Sequence, residues 1–170
     1  GLYADFSPKP LEEHSGNGMH INIMVHAMDG EDKLRSFMAG IIKHIEEITF
    51  FLNPTEQSYR RFGEKKAPVY ITWSSENRNQ LIMIPECSKN RRHLKLRSPD
   101  SGSNPYIAYA LLIYAGLDGV RNNMDPGEPT NLDLAGKELH GHVDLLYAGA
   151  VCARGRAHLG ELAGEEGHQR

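Results

Sequence analysis

Two glycines stand directly ahead of a short alternating segment in HSGNGMHIN, residues 14 to 22. Gly16 and Gly18 permit close backbone approach and unusual φ values, and His20 follows them with a side chain that can ligate a metal. Such a loop would hold a small polar substrate through its carbonyls and amides beside a metal. A histidine on the polar face of a strand is, by itself, most often a partly exposed side chain. The second chemical set is arginine: Arg60 and Arg61 in SYRR, Arg78 in ENRN and Arg97 in LRSPD. Singly these are solvated surface residues. Aimed together from adjacent strand ends, their guanidinium groups suit the carboxylate and phosphate oxygens that arginine binds bidentately, which is the chemistry of phosphoryl transfer or carboxylate binding.

Residues 89 to 97, KNRRHLKLR, add more positive charge. Alternation turns Leu94 and Leu96 to the core, so His93, Lys95 and Arg97 share the other face. The plain reading is a solvated basic hairpin, with weak RNA affinity as its functional counterpart.

Several elements must position these residues. Met19, Ile21, Ile23 and Val25 alternate with His20, Asn22 and Met24, the period of a strand, which Asp29-Gly30 closes as a turn. From residue 32 to 52 the set Leu34, Phe37, Met38, Ile41, Ile42, Ile45, Ile48 and Leu52 recurs at helical spacing, and Asn53-Pro54 ends the helix. VYITWS, QLIMIP and HLKLRS read as three strands of an antiparallel meander. PDSGSNP is a loop, with Pro105 placed for the first turn of a helix over residues 104 to 121. That helix is apolar nearly all round, so it is expected as a central core element. LYADF reads as a strand already under way, as if the chain, which starts with Gly, were cut from a longer reading frame. NNMDPGEPTNLD is a linker by composition, and the segment from 125 to 170 holds one aromatic, Tyr147. No internal repeat of solenoid period occurs.

The 170 residues suffice for one core, and 39% apolar with 24% charged residues is ordinary globular composition. A net charge of -3 argues against a general nucleic-acid binder. Neither an 18-residue apolar run nor a secretory signal is present in the sequence, and Cys87 and Cys152 lack the number and spacing of a disulfide framework. The expectation is a cytoplasmic protein with free thiols.

The motifs GNGMHIN, NPTEQSYRRFG, APVYITWSSENRNQLIMIP and LKLRSPDSGSNPYIAYALLIYAGLDGV resemble, in order and spacing, the C-terminal half of the catalytic domain of glutamine synthetases. The resemblance implies an α+β fold, with antiparallel strands of a partial barrel and the two long helices packed outside. It divides the chain into residues 1–124, the catalytic-domain part, and 125–170, a divergent Gly/Ala-rich tail. It gives His20 the role of metal ligand, and sets Ser15 and Gly16 beside the amino group of glutamate. Arg61 matches the arginine that holds the glutamate carboxylate. Arg78 matches a phosphate-facing arginine, and Arg97 an arginine of the glutamate and phosphoryl site.

Departures from the family pattern are concentrated at the same site. Lys66 stands where a glutamate usually guards the acyl phosphate, with Glu64 two residues earlier. Met83 and His93 replace arginines. Lys95 replaces a metal-ligating glutamate. An ammonium cannot ligate a divalent cation, and at about 4 Å it opposes a positive charge by roughly a few kcal/mol at intermediate dielectric, so metal affinity should fall. The family's other carboxylate ligands lie upstream of GLYADF.

By family, the reaction is ATP-dependent ligation of ammonia to glutamate with magnesium or manganese, carried out by a homo-oligomer without membrane or nucleic-acid partners. The chain by itself is expected to be inactive. The alternative is a catalytically inactive family member acting as an anion- or nucleotide-binding or assembly module.

Overall fold

The computed structural model describes residues 1–26, 32–64, 67–85 and 92–130. The Asp29-Gly30 turn, Lys66, both cysteines, residues 89–91 and the tail from 131 onward fall outside the described residues.

An amphipathic helix, α1 (Leu34–Leu52), organises the core. Its Phe37, Met38, Ile41 and Ile45 join Ile21, Ile82, Leu94 and Leu96 in one buried cluster. Helix α1 stops at Asn53, before Pro54, where the 3.6-residue periodicity ends. A five-residue helix, α2 (Glu56–Arg60), follows within what the sequence presents only as a polar segment. Thr55 and Ser58 form a reciprocal capping box at its start, a local signal that needs no apolar periodicity.

Strands β1 (Ile21–Ile23), β2 (Trp73–Ser74), β3 (Ile82–Met83) and β4 (Leu94–Leu96) form an open sheet in the order β1-β4-β3-β2. β4 is antiparallel to both β1 and β3. The expected meander fails at β2 and β3, which run parallel. Two successive turns redirect the chain there instead of one hairpin. Ser74 Oγ accepts from the N–H groups of Glu76 and Asn77 at 3.0 Å each, and Asn77 Oδ1 accepts from Asn79 N–H at 2.9 Å. The α+β class holds, with a mixed sheet in place of a wholly antiparallel one.

Helix α3 (Pro105–Arg121) begins as its sequence predicts, with Pro105 in the first turn and Asn104 Oδ1 accepting from Tyr106 N–H at 3.0 Å. Its expected central position is not observed. Only Ala108, Leu112, Ala115, Gly116 and Gly119 are buried, while Tyr106, Tyr109, Ile113 and Tyr114 lie exposed. The small residues let α3 press on α1 along one stripe, and the large apolar residues have no described element opposite them. A Cβ on Gly40 of α1 would sit 2.7 Å from Gly119 N and overlap the Ala115 carbonyl oxygen, so two glycines set the closeness of the crossing.

LYADF, expected as a strand, is irregular, with Leu2, Tyr3 and Phe6 exposed. It has no neighbouring strand among the described residues to bond with. None of the described helices is long and apolar enough to cross a membrane.

Candidate functional site

A cleft of about 430 Å³ opens between the glycine loop and the segment after α2, lined by Ser15, Gly16, Gly18, His20, Arg61, Glu64 and Ala67. Residues more than forty positions apart in sequence meet there because the loop is tied down on two sides. Asn17 N–H donates to Pro8 O at 2.8 Å, and Met19 N–H donates to Pro99 O at 2.8 Å. The Asn17 side chain also donates to Ser7 O at 2.9 Å.

Gly16 is needed for close approach. A Cβ there would lie 2.8 Å from Arg61 Cγ and would meet Pro8 O, so the loop rests directly on the arginine stem. Neither Gly16 nor Gly18 has positive φ; among described glycines only Gly63 and Gly127 do. The expectation of unusual φ in this loop is therefore corrected, and contact distance is the reason for glycine.

Arg61 caps α2 and is 3% exposed. Its Nη2 donates to Asn53 Oδ1 at 3.3 Å and to Ser98 O. Asn53 is itself held by Thr49, its Nδ2 donating to Thr49 O at 3.3 Å. The end of α1 thus orients the guanidinium at the start of the cleft. Burial pulls the Arg61 pKa below its ordinary value, with the Asp100 carboxylate opposing. Arg61 Nε is shut from solvent and has no hydrogen-bond partner among the described residues. A buried guanidinium with an unused donor is costly to the fold by itself.

On the open sheet, β1 and β4 place Asn22 opposite Lys95, and β3 places Met83 opposite Lys95 on the other side. His20, by strand alternation, belongs to the face of Asn22 and Lys95. His20 is an exposed residue of the cleft rim, yet its pKa is pushed down to about 4, first by partial loss of water around the ring and then by the positive charges of Arg97, Lys95 and Arg61. Arg97, just past β4, is 4% exposed, and its N–H donates to Leu81 O at 3.0 Å. Its pKa is lowered by burial and then by Arg78. The structure therefore gathers Ser15, Gly16, His20 and Arg61 in the cleft. It sets Lys95, Met83 and Arg97 along the adjoining sheet face, and Arg78, exposed on the β2–β3 connection, within electrostatic reach of Arg97. His93, half-buried, precedes β4.

Two residues unmarked as a pair by any motif complete the cleft. Lys9 is 8% exposed; its Nζ donates to His14 O at 2.6 Å and to Glu64 Oε1. This ties the glycine loop to the turn after Arg61. A lysine between two prolines was the available sequence signal, but its partner is 55 positions away.

The described residues do not by themselves fit a divalent metal. No group of three His, Cys, Asp or Glu side chains that could hold one occurs among them, and the charges that act on the His20 imidazole are the cations Arg97, Lys95 and Arg61.

Comparisons place this geometry among known proteins. Residues 1–145 match the family model described as "Glutamine synthetase, catalytic domain". The chain is 43% identical to the glutamine synthetase of Methanosarcina mazei, over 79% of this chain and 33% of that one. It is 40% identical to the glutamine synthetase of Pyrococcus abyssi, over 74% of this chain and 31% of that one. A solved structure described as "GmaS/ADP complex-Conformation 1" superposes with a TM-score of 0.69 at 28% identity, covering 85% of this chain and 38% of that one. The chain spans about a third of the length of the curated relatives it matches. The sequence identity, the matched catalytic-domain residues and the shared fold agree: the chain belongs to the glutamine synthetase family.

Proposed function

We propose that this chain is part of an ATP-dependent ligase that joins ammonia to glutamate. The observation that carries the reading is the buried Arg61, its Nε without a partner, lying against the Gly16 loop in a cleft that also holds His20. In this reading the Arg61 guanidinium receives the glutamate carboxylate, and Ser15 and Gly16 border the amino group. Arg78 and Arg97 neutralise charge on a phosphoryl group, which in a ligase of this kind passes to the γ-carboxylate before ammonia displaces it. His20 is the position the family resemblance gives to a metal ligand, but its cationic surroundings supply no second ligand. Magnesium or manganese binding would require carboxylates from beyond these residues. A homo-oligomer of the longer form, in the cytoplasm, accompanies the same reading.

ATP-dependent hydroxamate formation from glutamate and hydroxylamine tests it. The chain alone is expected to be inactive. A chimera carrying residues 1–145 in place of the matching third of the Methanosarcina mazei enzyme is expected to gain turnover when Lys95→Glu and Lys66→Glu are introduced. Turnover by the chain alone that vanishes in His20→Ala would overturn the expected inactivity. A chimera inert in every variant would favour the second reading, a catalytically inactive anion- or nucleotide-binding or assembly module. The pairing of Lys95 with Asn22 on the face of His20 favours that second reading specifically.

A further inference from the structure

The residues that follow β4, RSPDSGS, form a turn that reaches three parts of the cleft. Ser98 O accepts from Arg61 Nη2, and Pro99 O accepts from the Met19 N–H that anchors the glycine loop. Asp100 N–H donates to Leu52 O at 3.2 Å, at the end of α1, beside the Asn53 that also accepts from Arg61. Asp100 is fully buried. Its Oδ1 accepts from Gly102 N–H at 2.8 Å and its carbonyl from Ser103 Oγ at 2.8 Å, so its own turn holds it in place. Asp100 Oδ2 is shut from solvent and has no hydrogen-bond partner among the described residues. Its charge nevertheless acts on Arg61, against the effect of burial.

This arrangement separates charge compensation from hydrogen bonding. The two acceptors that hold Arg61, Asn53 Oδ1 and Ser98 O, are neutral, and the Asp100 carboxylate compensates the guanidinium through space. A carboxylate bonded in the usual two-pronged way would compensate more strongly, but it would fill the guanidinium fork. Here Arg61 Nε keeps its N–H unused. We propose that Asp100 is a positioning residue of the cleft, whose buried carboxylate supplies the counter-charge that keeps the Arg61 guanidinium seated between Asn53 and Ser98 while leaving Nε unbonded. The proposal rests on the reading above in which Arg61 receives the glutamate carboxylate, and it adds the residue through which Arg61 is held. Asp100 acts through Arg61 and has no assigned contact with substrate.

Arginine Nε–Hε NMR of the full chain tests the proposal, with the Arg61 signal assigned by its loss in Arg61→Lys. In wild type that proton should exchange slowly with water, because Arg61 Nε is shut from solvent. Asp100→Asn keeps an oxygen for Gly102 N–H and removes the charge. It is expected to speed exchange at Arg61 by roughly tenfold or more, since a buried charge that loses its partner is driven toward water. Asp100→Glu, which restores the charge, should recover part of the protection. The Met19 amide, bonded to Pro99 O on the same turn, should keep its wild-type protection in Asp100→Asn. Unchanged exchange at Arg61 would overturn the proposal. So would a loss at Arg61 and Met19 together, which would make Asp100 a support of the turn. Calorimetric titration with L-glutamate judges the underlying reading: wild type should bind, and Asp100→Asn roughly tenfold more weakly. If wild type does not bind, the carboxylate role of Arg61 fails, while the exchange result still decides whether Asp100 holds Arg61.

Discussion

The crossing of α1 and α3 and the cleft beneath Arg61 use buried space in opposite ways. At the crossing, Gly40 meets Gly119, Phe37 lies over Gly116, and no room remains for another methyl group. Its polar interaction sits at the margin, where His44 Nε2 and Asp118 Oδ2 are 2.8 Å apart. In the cleft region, polar atoms are buried with bonding capacity left over: Arg61 Nε, Glu64 Oε2, Ser98 Oγ and Asp100 Oδ2 have no hydrogen-bond partner among the described residues. Each such atom costs stability. The crossing leaves no space unfilled, whereas the cleft region leaves polar atoms unpaired.

The most severe way to break the contrast is to fill the crossing. Gly40→Leu is expected to lose about 3 kcal/mol or more, since its Cβ meets backbone atoms that cannot rotate away. An unchanged urea midpoint would mean that the two helices do not touch in solution.

Arg61→Lys probes the cleft with the charge retained. Losing the planar fork should cost about 1.5–3 kcal/mol in L-glutamate affinity, and only about 1 kcal/mol in stability. Paired calorimetry and urea denaturation decide; a stability loss exceeding the binding loss would make Arg61 a structural residue first.

Lys9 and Glu64 test whether the cleft is assembled by their pairing. Lys9→Met should cost about 1–2 kcal/mol, because it strands the His14 carbonyl and one carboxylate oxygen. Glu64→Gln in the Lys9→Met background should add little. Additive losses in the double-mutant cycle would show that the two side chains are not coupled.

The smallest effect separates the regions by sign. Hydrogen bonding to Asp118 raises the His44 pKa above 6.5, so its contribution to stability is fully present below about pH 6.5 and is lost as pH rises through the folded value. His20 is depressed to about 4, so the fold resists its protonation. That contribution is present above about pH 6.5 and is lost as pH falls toward 4. Proton NMR titration of the two imidazoles should give values on opposite sides of 6.5. Two values on the same side would remove the electrostatic distinction between crossing and cleft.

Local patterns in the chain determined a good deal of this. The end of α1 at Asn53-Pro54, the start of α3 at Pro105, and the alternation that sets Asn22 and Lys95 apart from Leu94 and Leu96 all follow from backbone geometry repeating every 3.6 or 2 residues. The order of the glycine, arginine and SGSNP motifs was likewise sufficient to indicate the family. Tertiary structure alone decided the rest. The parallel pairing of β2 with β3 arises from side-chain caps in the connecting loop, which periodicity does not register. The composition of α3 is the same whichever of its faces is covered; only the approach of α1 selects the small-residue stripe and leaves Tyr106, Tyr109, Ile113 and Tyr114 outside. Asn53 reads in the sequence as a helix stop, and it becomes the support of Arg61 because α2 folds back over the end of α1. Lys9 meets Glu64 across 55 positions, a pairing that no local pattern marks. A local pattern fixes which way a side chain faces on its own element, whereas its partner depends on how distant elements pack.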